Sequence, residues 1–261
     1  MALRVRSRVD VATVVLAAAV LARLPVTVWK ARLLQRPGVL RVPWFGDPVE
    51  PVWIWPAVVA WAVGGLLMLG TGTRRVGCWT AGFGILGFLL TDRQLYSNHL
   101  YLIMLLCALL ALAQSEPTPW VTAVRVQITV MYVFAGLTKL NPGFLSGEPL
   151  ASFIAAGPLP IRPDLITPTW VVPLAAAVPP LEVFVGVGLW SRRLRPWAIG
   201  AGIVFHVGTI LGMGMFGELI PFFLAAAAGY LLFLPEERVL AVSRRLPLVQ
   251  VSGPVAEEAQ A

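Results

Sequence analysis

The chain has 261 residues, 58% of them hydrophobic and only 13% charged, with a net charge of +7 and a mean hydropathy of +0.80. Soluble domains carry about 25% charged residues, so this composition excludes an ordinary soluble domain and points to an all-α, polytopic membrane bundle. No basic run is interleaved with aromatics as a nucleic-acid platform requires, and Cys78 and Cys107 lie in apolar runs with no Cys-x-x-Cys, which argues against a thiol–disulfide enzyme or a thiolate metal site.

In chain order the apolar runs predict about eight transmembrane helices, over 10–29, 52–71, 76–91, 98–114, 119–139, 169–190, 196–215 and 217–234, a span needing ~20 residues. Arg4, Arg6 and Arg8 ahead of the first run resemble a signal peptide. With more spans downstream, the run reads as an uncleaved first helix. Arg23 and Arg125, near helix ends, are expected to snorkel to the interface. Arginine placement favours a cytoplasmic start and finish, with Arg74, Arg75, Arg192, Arg193, Arg195, Arg238, Arg244 and Arg245 on the inner side. The stretches 30–51 and 140–168 are expected outside as proline-broken loops that lie over a site or merely connect helices. Residues 1–245 read as one transmembrane domain without a large soluble part, and 246–261 as a short polar tail without order. The bias to arginine, alanine and glycine suggests a bacterial source and hence the cytoplasmic membrane.

Only two lysines, Lys30 and Lys139, and two histidines, His99 and His206, occur. An ionisable residue at membrane depth is costly and tends to be kept for function. Residues 115–118 connect the fourth and fifth spans, and so short a connection makes them antiparallel neighbours. His99 and Lys139 are then expected to face each other near the outer surface, with His206 and Glu182 deeper. Asn98, Tyr132, Tyr96, Arg125 and Gln127 are polar neighbours on the same spans. Each residue taken singly also has a structural role open to it, as a helix–helix hydrogen bond or an interfacial anchor. The spacing matches no metal motif, and no metal is expected.

Three blocks carry a resemblance. The run from Val124 to Leu140, followed by Gly147, is similar to the signature helix of the vitamin K-dependent gamma-carboxylase family, which is related to the horizontally transferred transmembrane (HTTM) domain. Tyr96 to Leu102 is a second block, and Glu182 followed by Phe205-His206 and Gly214-Met215-Phe216 is a third. The resemblance implies a membrane enzyme that takes a reduced quinone, menaquinol or vitamin K hydroquinone, with oxygen and carbon dioxide as co-substrates. It implies that Lys139 is the base toward the quinol, that His99 contacts it, and that His206 is catalytic. Oxygen addition then gives an epoxide and a strong base, which is coupled to carboxylation of a peptidyl glutamate. Asn98, Tyr132, Arg125, Gln127 and Glu182 are the accompanying quinol-binding candidates.

A lysine acts as a base only in its neutral form, which low-dielectric surroundings favour. The chain departs from the animal enzymes at Thr138, where they have a second lysine, at Gly143-Phe144, and at Val207 and Gly208. It also lacks their large lumenal domain. These departures favour quinol chemistry over protein carboxylation. The partners expected are the lipid bilayer, a lipid-soluble quinol and a small secreted or membrane peptide. The alternatives are a non-catalytic HTTM protein that assists maturation or export of a peptide, and a small redox subunit like DoxX, which length disfavours.

Overall fold

The computed structural model describes residues 3–44, 46, 50–114, 117–158 and 166–252. Residues 159–165 of the expected 140–168 loop, part of the 115–118 connection and the tail from 253 lie outside the described residues. Among the described residues the regular structure is helical apart from two three-residue strands, and the chain divides into two compact units. One comprises 1–124 with 220–261 and the other comprises 125–219.

In the first unit, strand β1 (Leu3–Val5) precedes α1 (Arg8–Ala22), α2 (Leu24–Leu34), α3 (Ile54–Leu67), α4 (Arg74–Thr91) and α5 (Asn98–Ala113). Ser7 caps α1 by accepting from the Asp10 amide, as a short hydroxyl side chain at that position should. The first apolar run does not end at 29. The helical stretch continues to Leu34, with Pro25 in the first turn of α2 where its missing N–H costs nothing. Arg23, at the α1–α2 junction, is 1% exposed and does not snorkel; the junction encloses it.

Glycines set the closest packing in this unit. Gly64 lies against the Ala81 backbone, and a Cβ at Gly77 would stand 2.5 Å from the Met68 amide nitrogen, so α3 and α4 pack backbone to backbone in the manner of small-residue membrane interfaces. The Trp61 indole donates to Val20 O at 2.9 Å, and the Gln114 amide donates to Thr13 Oγ1 at 3.0 Å, tying α3 and α5 to α1. The connection ahead of α3 is pinned as well. Asp92 accepts from Arg41 Nε and the Val42 amide, both at 3.0 Å, and the Trp44 indole donates to Leu89 O.

One end of this unit is closed by a clasp. β1 pairs in parallel with β2 (Val249–Val251), Leu3 opposite Val249. The tail expected to lack order from 246 therefore starts with paired backbone; its N–H and C=O groups find partners in β1. Arg74 bonds Asp10 Oδ1 at 2.9 Å and also the carbonyl of Arg4, and Arg8 donates to Leu234 O at 2.9 Å.

Helix α6 (Pro117–Thr138) leads into the second unit, where α7 (Pro142–Leu145), α8 (Glu148–Ala156), α9 (Pro168–Gly188) and α10 (Arg195–Met213) follow. Helix α11 (Phe216–Leu231) leads back to the first, which ends with α12 (Glu236–Ser243) and β2. The proline-rich stretch after α6 holds two short helices, each opened by a proline in its first turn, Pro142 and Pro149. Among the described residues four stretches are long and apolar enough to cross a membrane: Arg8–Leu34, Thr118–Thr138, Pro168–Gly188 and Arg195–Met213. Ile54–Leu67, Asn98–Ala113 and Phe216–Leu231 are shorter apolar helices.

Candidate functional site

The second unit is organised around one face of α6. Arg125, Thr129, Tyr132, Gly136 and Lys139 recur at three- and four-residue intervals and so share that face. The opposite face carries Val126, Val130, Phe134 and Leu137, each about half exposed or more, which suits contact with lipid.

Two glycines let α6 and α9 approach. A Cβ at Gly136 would lie 2.7 Å from Pro179 O and 2.9 Å from the Val183 side chain. A Cβ at Gly186 would lie 3.1 Å from Tyr132 Cβ. The Trp190 indole donates to Thr129 Oγ1 at 2.7 Å at the other end of this contact. The helices are therefore antiparallel and staggered, with the last turn of α6 set against the middle of α9, about 20 Å along that helix from Pro168 at 1.5 Å per residue. The glycine contacts fix the stagger that brings Lys139, just past the end of α6, level with Glu182.

At that level Lys139 meets Glu182. Its Nζ donates to Oε2 at 2.7 Å, to Oε1 at 3.0 Å and to Ala135 O at 3.2 Å. The Glu182 side chain is 5% exposed and the Lys139 side chain 28%. The open side of Lys139 looks across the Phe144 ring, with Nζ 5.9 Å from its centroid. Beside it runs an apolar groove of about 460 Å³, lined by Leu140, Pro179, Val183, Phe184, Val187 and Leu194 among others.

About two turns back along α6 is a second couple. Tyr132 Oη and His206 Nε2 are 2.6 Å apart, and both residues are 2% exposed. His206 lies in the middle of α10, where Thr209 donates to its carbonyl. A phenol that faces an imidazole nitrogen can pass its proton to it, and the imidazole can hold that proton.

Within the second unit the polar side chains form two separate pairs. Glu182 belongs with Lys139 and not with His206, and His206 belongs with Tyr132. His99 is in the other unit, in the first turn of α5, its ring 4.2 Å from that of Phe222. Asn98 opens the same helix and is exposed, after the capping hydroxyl of Ser97. Arg125 and Gln127 are half-buried on α6, and the Arg125 carbonyl accepts from Thr129. Ala135, Phe144 and the groove-lining Pro179 and Val183 were not foreseen. The amphipathic period of α6 could have suggested Ala135, one turn before Lys139. Among the described residues no group of three or more His, Cys, Asp or Glu side chains could hold a metal ion.

Comparison with curated proteins and with solved structures gives no match for this chain. A family model described as the HTTM domain matches residues 113–237. That segment includes Tyr132, Lys139, Glu182 and His206 but not Asn98 or His99. The chain thus matches the HTTM domain family over residues 113–237, the segment that holds both polar couples.

Proposed function

We propose that the protein is a multi-pass membrane enzyme acting on a reduced quinone, with Lys139 as the base. The observation that carries this reading is the Lys139–Glu182 couple, a partly open amine backed by a buried carboxylate and flanked by an apolar groove. The donor set fits a quinol: an apolar ring and chain suit the groove, and an acidic hydroxyl suits the amine. A reduced quinone with oxygen supplies the oxidative chemistry, through an epoxide in the family that the sequence resembles.

The residues then divide the proton work. An ammonium has three N–H bonds and no lone pair, and the three acceptors around Nζ match that count. Lys139 gains a lone pair when one proton moves to Glu182, which leaves the couple as neutral as before. The free amine takes the substrate proton, and Glu182 holds the other until it leaves. Tyr132 and His206 offer a second place to hold a proton, at Nε2.

Purified protein with reduced menaquinone and oxygen is expected to yield the quinone epoxide, and Lys139→Ala is expected to abolish it. No epoxide from the parent chain would leave the accessory role in peptide maturation or export as the better reading. The mutual satisfaction of the two couples supports that second reading, since paired polar side chains also serve simply to join helices.

We further infer eight crossings, by α1 with α2, then α3, α4, α5, α6, α9, α10 and α11, in a bacterial cytoplasmic membrane with the arginine-rich end inside. The β1–β2 pairing supports an even number, because paired strands must lie on one side of the bilayer.

A further inference from the structure

The clasped end of the first unit carries a surface that the quinol reading does not use. α12 buries Val239 and Ser243, each 3% exposed, and turns its other side outward. On that side and in the turn that follows, Arg238, Arg244 and Arg245 are exposed. Between them stand three large apolar side chains in the open: Val242 at 64%, Leu246 at 51% and Leu248 at 66%. Arg238, Val242 and Arg245 are spaced at four and three residues and so follow one side of the helix. Glu236 and Glu237 are also exposed, but both sit in the first turn, where a carboxylate favours the helix N-terminus. Arg4 and Arg6, on and beside β1, are exposed and add to the same end through the β1–β2 pairing.

Position selects the occupant. Only the segment 232–235 separates the apolar α11 from α12, a reach of at most ~18 Å even when extended. Arg8 holds Leu234 against α1 at 2.9 Å, which keeps the reach short. α12 is therefore confined to the level at which an apolar helix ends, the headgroup layer of a bilayer. A surface that alternates guanidinium with apolar side chains suits that layer, with the charges toward phosphates and the apolar groups toward acyl chains.

We propose that α12 and the turn after it form a docking platform for anionic phospholipids. Arg238, Arg244 and Arg245 receive the headgroup phosphodiesters, and Val242, Leu246 and Leu248 enter the acyl boundary. The pairing of β1 with β2 ties the turn after α12 to the start of the first unit.

The test is lipid retention by the full chain, extracted in mild detergent from a bilayer of phosphatidylglycerol and phosphatidylcholine and read by native mass spectrometry. Phosphatidylglycerol is expected to stay bound and phosphatidylcholine to be lost. The triple variant R238Q/R244Q/R245Q is expected to lose on the order of 100-fold in affinity for phosphatidylglycerol, about fivefold for each arginine. The charge-preserving R238K/R244K/R245K is expected to keep most of it. If the triple glutamine variant does not fold, Arg245→Gln alone must still show its fivefold loss. Equal retention of both lipids, full retention by the glutamine variants, or displacement by inorganic phosphate at matching concentration would each overturn the proposal. So would capture of a peptide at this surface in place of lipid. None of these outcomes depends on whether a quinol is turned over.

Discussion

Lys139 and Glu182 show how much one residue's role depends on its partner. A buried carboxylate left without its cation is destabilising by about 3–5 kcal/mol, whereas an ion pair replaced whole by apolar residues is often neutral. Lys139→Ala is therefore expected to lower the midpoint of thermal unfolding in detergent, and Lys139→Met with Glu182→Leu to restore it. Activity should be lost in both, and recovered activity in the double variant would remove the couple from the mechanism. Glu182→Gln keeps one acceptor oxygen, replaces the other with an amide donor and cannot take a proton. The rate of quinol oxidation is expected to fall by about 10²–10⁴-fold, the usual worth of a general base, and Glu182→Asp to recover part of it. The Tyr132–His206 bond is a smaller structural matter. Tyr132→Phe is expected to cost about 0.6–2 kcal/mol of stability, as interhelical hydrogen bonds in membranes do.

At the scale of elements, the helices were legible because apolar runs bounded by arginine, proline and glycine leave little choice. What the runs could not show is how the helices slide along one another. The stagger of α6 against α9 depends on Gly136 and Gly186, whose missing side chains admit Pro179 and Tyr132. Hydropathy weighs such glycines like any other. The apolar runs therefore group Glu182 with His206 at one depth, whereas the stagger sets it against Lys139. The extension of α2 to Leu34 was hidden for a related reason: Lys30 and Arg32 lie within helix that hydropathy alone ends early. Gly136→Leu is expected to force α6 off α9, at a cost of about 1–3 kcal/mol or more for overpacking. The same variant should separate Lys139 from Glu182. The observable is loss of quinol oxidation together with a lowered unfolding midpoint, while Gly200→Leu, at an open position, should change neither.

For the whole molecule, the clasp is the feature that composition could not announce, since three-residue strands carry no readable period. It joins segments 3–5 and 249–251, and Arg74, 1% exposed, anchors it through Asp10 and the Arg4 carbonyl. Single cysteines placed at Arg4 and Gln250 are expected to react with a membrane-impermeant thiol reagent from the same side of the bilayer. Reaction from opposite sides would exclude an even number of crossings.

Helix α9 carries Pro173, Pro179 and Pro180 in its interior. Each proline lacks an amide hydrogen, so the carbonyls of Thr169, Ala175 and Ala176 have no donor four residues on. α9 is then mechanically two rods joined just before Glu182, and kinks in helices concentrate at such joints. The carboxylate rides on the second rod, while the lip of the groove at Pro179 and Pro180 is the joint itself. A change of angle at the joint would alter the width of the groove and the reach of Glu182 toward Lys139 in a single movement.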